Sequence, residues 1–139
     1  MITDKFLTFT KYSGEYNDGD TGAYSSTNLG KTPFLDKEYW LVLKAAKSTM
    51  SASDSIAVKV ASNAALSSNA VTIASYTAAG TESAGDTLLV TRIPFKLQCS
   101  DATKENYFGI VCTTCTTDEV VAYLVEKYRV NEIADITLQ

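Results

Sequence analysis

The sequence predicts an all-β fold, an antiparallel sandwich or barrel of about seven or eight short strands. Three observations carry this expectation. Short segments alternate apolar and polar residues, stretches of turn chemistry separate them, and the composition favours β structure. Ser and Thr together supply 31 of the 139 residues, with 16 Ala beside them, and charged residues make up only 20%. Small polar and β-branched residues with few long charged ones fit strands and turns better than helices.

The first extended segment is Phe6 to Tyr12, with Phe6, Thr8 and Thr10 on one side and Leu7, Phe9 and Lys11 on the other. Ser13 to Gly22 follows as a turn-rich loop centred on Asn17-Asp18-Gly19-Asp20. Ser25 to Leu29 reads as a short strand closed by Gly30 and Thr32-Pro33. Glu38 to Ala45 is a strand with Tyr39, Leu41, Leu43 and Ala45 on one face and Trp40, Val42 and Lys44 on the other. After a Ser/Thr/Ala loop, Ser55 to Ala61 turns Ile56, Val58 and Val60 one way and Ala57, Lys59 and Ala61 the other.

Ala70 to Tyr76 and Thr87 to Phe95 are the next strands, divided by the Gly80–Gly85 loop. Pro94 has no N–H and belongs at a strand end or on an edge. Asn106 to Thr113 is a further strand. Glu119 to Tyr128 fits two patterns. Val120, Val121, Leu124 and Tyr128 form a helical stripe with Asp118 as cap, whereas Val-Val, Tyr123 and Val125 favour a strand, which is the expectation adopted. No linker, repeat or second domain interrupts the pattern, so residues 1–139 are read as one sandwich domain with an N-terminal arm (1–24) and a C-terminal tail (130–139). A chain of this length buries roughly 68–70% of its unfolded surface, enough for one core without metals or disulfides.

Composition excludes several functions. The net charge of −4 lacks the basic face that a nucleic-acid binder uses to neutralise phosphates, and no stretch approaches the ~20 apolar residues of a membrane span. No nucleic-acid or membrane partner is therefore expected. The absence of histidine removes His-based triads and most transition-metal sites. No Gly-rich phosphate loop or Gly-x-Ser-x-Gly occurs, and Ser and Thr without an activating base are weak nucleophiles. The chain is expected not to be an enzyme and to carry no cofactor and no metal. Three cysteines, Cys99, Cys112 and Cys115, are a poor disulfide framework, and the first residues hold no apolar stretch of signal-peptide length. The expected place of synthesis is a reducing cytoplasm, with free thiols.

Four local patterns are candidate sites. Cys112-Thr-Thr-Cys115 has redox or zinc spacing, but residues three apart in a continuous strand face opposite ways, so Cys112 reads as a buried core filler. Glu15, Asp18 and Asp20 with Asn17 are hard oxygen ligands in one loop, though without the spacing of an EF-hand, and a solvated turn accounts for them. Tyr39-Trp40, and Tyr12, Tyr16 and Tyr24, are either sugar-stacking platforms or parts of a core or interface. The arm also carries Phe6 and Phe9, so Phe6, Phe9, Tyr12, Tyr16 and Tyr24 are the candidate protein-interface residues. The competing reading places Phe6 and Phe9 in the core.

The order of segments resembles the small jelly-roll capsid cement (decoration) proteins known from a Bordetella phage. The likeness runs through the Met1-Ile-Thr-Asp4 start, Ser26-Thr-Asn-Leu-Gly30, Trp40 to Leu43, and Ile56 to Ser62. It continues through Asn63 to Ala70, Val71 to Ala74, Gly85 to Pro94, Tyr107 to Val111 and Val120 to Val125. The acidic Gly14–Gly22 insertion, the Cys-x-x-Cys and the Val130–Gln139 tail depart from it. The resemblance implies a jelly-roll-like sandwich and a structural virion protein on the capsid exterior. Its implied partners are the major capsid protein, whose subunits it would bridge, and itself, as a dimer or trimer. The alternative is a carbohydrate- or receptor-binding sandwich module of a phage fibre or head fibre.

Overall fold

The computed structural model describes residues 24–31, 38–45, 50–115 and 120–126. Within them the chain forms seven strands and no helix: β1 (Tyr24–Asn28), β2 (Tyr39–Ala45), β3 (Ser55–Ala61), β4 (Val71–Thr77), β5 (Thr87–Arg92), β6 (Tyr107–Thr113) and β7 (Val120–Glu126). One antiparallel sheet has the order β1-β6-β3-β4, and the other has the order β5-β2-β7. The all-β sandwich expected from the alternation is the observed architecture. The extended segment read at Phe6 to Tyr12, the acidic loop before Tyr24 and the C-terminal tail lie outside the described residues.

The β3–β4 pair is the one direct connection within a sheet; from β1 to β2, β2 to β3, β4 to β5, β5 to β6 and β6 to β7 the chain changes sheet. Each sheet therefore pairs strands distant in sequence, and the core between the sheets closes only when both are assembled. From the four-stranded sheet, Ile56, Val58 and Val60 of β3 and Phe108, Ile110 and Cys112 of β6 point into this core. Leu41 and Leu43 of β2 and Val120 and Ala122 of β7 meet them from the other sheet.

The choice between strand and helix near the C-terminus falls to strand. Val120 to Glu126 runs antiparallel to β2 from Ala45↔Val120 to Tyr39↔Glu126. A helical stripe would have left the β2 backbone unpaired on that side. β2 is buried on both faces: besides Leu41 and Leu43, its other side places Val42 and Lys44 at 0% and 1% exposure beside Val121 and Tyr123 of β7. The unbroken apolar runs Trp40-Leu-Val-Leu43 and Val120-Val-Ala-Tyr123 are the sequence mark of strands covered twice.

β5 stops at Arg92, short of the predicted Phe95. Ile93 N–H still donates to Tyr39 O (2.9 Å), but Pro94 has no N–H to continue the ladder. Bulges shift the register at Leu43/Lys44 against β5 and at Val58/Lys59 against β4, whereas β1 pairs with β6 without a break.

The turns are fixed by side chains that stand in for backbone partners. Asp54 is buried; its carboxylate accepts Ser51 N–H (3.1 Å) and the Thr114 hydroxyl (2.7 Å), joining the turn before β3 to the one after β6. Gly80 adopts φ +88°, and a Cβ there would lie 3.1 Å from Ala52 N, so only glycine suits both the conformation and the close approach.

Candidate protein interface

Of the five interface residues expected from sequence, Phe6, Phe9, Tyr12 and Tyr16 lie outside the described residues. Tyr24 opens β1, on the edge of the four-stranded sheet, and is 44% exposed. Alternation puts Tyr24, Ser26 and Asn28 on the outer face, opposite Val111, Gly109 and Tyr107 of β6. Asn28 is held at both ends of its amide: Nδ2 donates to Glu105 Oε2 (2.8 Å), and Oδ1 accepts Gly30 N–H (2.9 Å). Ser26 Oγ donates to Ala64 O (2.7 Å), drawing the β3–β4 loop to this edge.

That loop is organised locally. Asn63 Oδ1 accepts N–H groups from Ser67 (2.9 Å) and Ser68 (3.0 Å), and Leu66 is buried with φ +57°. A run of Ser, Asn and Ala thus builds a defined surface from side-chain-to-backbone bonds. Sequence reading did not mark it as a candidate surface, because its composition alone is that of any loop.

A second surface lies at one end of the three-stranded sheet. The Tyr39-Trp40 pair does not form one aromatic platform: Tyr39 packs against the core, and Trp40 takes the opposite face. Trp40 instead joins Arg92, its partner across β2 and β5. Its indole N–H donates to Glu38 Oε2 (3.0 Å), and Arg92 Nε lies 3.5 Å from Glu38 Oε1. The Arg92 guanidinium sits 5.4 Å from the ring centre of Phe95, which is 45% exposed, within the range of a cation–π contact. Val90, 40% exposed, stands beside Arg92 on the same face of β5. Arg92 and Phe95 were not candidates from sequence, since only the β2–β5 register brings them to Trp40.

The β4–β5 loop is closed by Glu82. Its carboxylate accepts the Tyr76 hydroxyl, Ala79 N–H (2.8 Å) and Gly80 N–H (2.9 Å). The Tyr76 hydrogen bond, then the Ala79 N–H, hold Glu82 down at about 2, while burial, then the hydrogen bond to Glu82, pushes Tyr76 up to about 12. A depressed carboxylate stabilises the fold above its unfolded value of 4.5, and this contribution is lost as pH falls toward about 2. The raised phenol contributes below its unfolded value of 10.0 and loses that contribution as pH rises through about 12. Urea unfolding midpoints between neutral and acid pH are expected to fall less steeply for Glu82→Gln than for the parent, starting from a lower value at neutral pH. Parallel curves would show that Glu82 carries none of the acid dependence. Asp101 is a smaller case: the Thr103 hydroxyl (2.7 Å) and N–H (2.9 Å) hold its carboxyl below the ordinary range.

Cys99, Cys112 and Cys115 are free thiols. Cys112 is a core residue beside Ile56, as the filler reading expects. The assumption that Cys115 points the other way is corrected by the backbone: β6 ends at Thr113, Thr114 adopts φ +64°, and Cys115 packs against the same core. Its Sγ donates to Ser55 O at 3.7 Å. Glu15, Asn17, Asp18 and Asp20 lie outside the described residues. Among the described residues no group of three or more Cys, Asp and Glu side chains is placed to hold a metal ion, and no helix is long and apolar enough to cross a membrane.

Two surfaces stand out among the described residues: an outer face of Tyr, Ser, Asn and Gly on β1 and β6, and a Trp-Glu-Arg-Phe cluster at the end of β2 and β5. No family model, curated protein or solved structure matches this chain. What is defined is a class of architecture, an antiparallel β-sandwich.

Proposed function

We propose that this chain is a structural, non-enzymatic virion protein of jelly-roll-like fold that binds the outside of a phage head. There it bridges neighbouring major capsid protein subunits and cements the shell. The observation that carries the reading is the chain path, which crosses from sheet to sheet at every connection but β3–β4 and pairs early strands with late ones. A two-sheet antiparallel sandwich is the architecture class to which the jelly-roll implied by the sequence resemblance belongs. The short polar side chains Ser26 and Asn28 on the outer face of β1 support it too: they can lie against another protein with little side-chain entropy to lose.

A bridging protein recognises a seam, which exists only in an assembled shell. The chain should therefore co-sediment with mature, expanded heads and not associate with isolated capsid subunits. Equal affinity for the isolated subunit, or no binding to heads, overturns the reading.

One observation favours a second reading, a carbohydrate-binding module of a fibre. The exposed Phe95 ring lies beside the Arg92 guanidinium, which is itself paired with Glu38, and this combines an apolar stacking surface with planar polar groups. Binding on a glycan array that is lost in Phe95→Ala, with no binding to heads, would favour it.

A further inference from the structure

The edges of the two sheets differ in how they are closed. β4 and β5 lie beside one another across the sandwich, and each pairs with its neighbour through a bulge. On β7, Val120 and Ala122, whose backbone groups face away from β2, have further partners of their own. β1 is different. Leu29 N–H donates to Asn106 O (2.7 Å), which sets the phase of the ladder: Ser25, Thr27 and Leu29 turn their backbone groups toward β6. Those of Tyr24, Ser26 and Asn28 face outward, with no partner among the described residues. Sheet edges are ordinarily guarded by a charge, a proline or a bulge. β1, Tyr24-Ser-Ser-Thr-Asn28, has none of them.

We infer that β1 pairs with β1 of a second copy, antiparallel across a two-fold axis at Ser26, joining two four-stranded sheets into one. Three facts select a second copy over a foreign strand. First, the outward groups fall on residues 24, 26 and 28, so a two-fold through Ser26 sets Ser26 against itself and Tyr24 against Asn28 of the second copy. All three pairs then exchange backbone bonds, about six in all. Second, the strand is uncharged, so self-pairing sets no like charges opposite one another. Third, the centre of the joint is small: Ser26 is flanked on the outer face by Gly109 and its hydroxyl is turned to Ala64 O, while Tyr24 gains a neighbour on its open side. The contact is isologous and closes at two copies. It concerns the free protein and stands apart from shell binding.

Sedimentation equilibrium over a concentration series tests it. The parent is expected to approach twice its 15.0 kDa chain mass. Ser26→Pro removes an outward N–H and the hydroxyl bond to Ala64 O but no bond of the β1–β6 ladder, so it should keep the parent's far-ultraviolet spectrum and sediment as a monomer. Ser26→Lys and Ser26→Asp keep the test decisive should the proline variant misfold. Each alone places like charges together and should be monomeric, and an equimolar mixture should recover the doubled mass. A parent that stays at 15.0 kDa throughout, a folded Ser26→Pro that still doubles, or a Lys/Asp mixture no heavier than its components overturns the pairing. A monomeric parent that still binds heads would sink this inference and leave the shell reading intact.

Discussion

Phe108→Ala is expected to cost about 3–5 kcal/mol, the largest loss from any single substitution considered. Phe108 lies at 0% exposure near the start of β6, between Thr27 of β1 and Val60 of β3. It belongs to the core that Leu41 and Leu43 close from the opposite sheet. Truncation loses the transfer energy of the ring, and the hole cannot collapse easily. Its walls come from two sheets, each held in register by its own ladder. A domain of this kind has only about 5–15 kcal/mol in hand, so the variant should unfold at a much lower urea concentration with a similar slope. Val90→Ala, on the outer face and 40% exposed, is the control and should stay within about 0.5 kcal/mol. If the two substitutions cost the same, the core is not where these strands place it.

The strands were legible because alternation is a local signal. Ile56, Val58 and Val60 announce an inward face within seven residues, and β3 occupies the predicted Ser55–Ala61 span. Termination was less so at β5, where a ladder needs both N–H groups and a partner, and Pro94 ends it. Strand order was not legible. Nothing in Tyr24–Asn28 says that its neighbour is Tyr107–Thr113, since the pairing depends on a core that only the whole chain encloses.

The candidate surfaces divide the same way. The aromatic content of the first 24 residues pointed to Tyr24, whose exposure could be anticipated from an edge strand. The Trp40-Arg92-Phe95 grouping could not. Trp40 and Arg92 meet through a cross-strand register, and Phe95 reaches them only because the chain turns after Ile93. The separation of Tyr39 from Trp40, by contrast, follows from alternation alone, which already puts these neighbours on opposite faces. At Cys115, one left-handed residue, Thr114, reverses the facing that strand periodicity assigns.

Asn106→Ala is expected to cost about 2–4 kcal/mol, without leaving an appreciable cavity in the main core. Asn106 reads in the sequence as the polar start of a strand, yet it is 0% exposed and joins three segments. Its Oδ1 accepts Cys99 N–H (2.7 Å) and Gln98 Nε2 (3.2 Å), and its Nδ2 donates to Gly30 O (3.0 Å). Its own N–H also donates to Gly30 O (2.9 Å), and its carbonyl accepts Leu29 N–H (2.7 Å). Alanine keeps those two backbone bonds, so the β1–β6 ladder should survive. What it removes is the acceptor that the Cys99 amide has among the described residues, and that amide then sits beside a side chain only 3% exposed. A buried donor without an acceptor costs about 1–3 kcal/mol, and the lost bonds to Gln98 and Gly30 add to that. The loss should therefore appear in global unfolding by urea and, locally, in hydrogen exchange. The Cys99 amide should exchange faster relative to the central amides of β3, beyond what the lower global stability accounts for. Cys99 protection that falls only in step with Val58 would show that the Asn106 amide does not hold the segment after β5 to the end of β1.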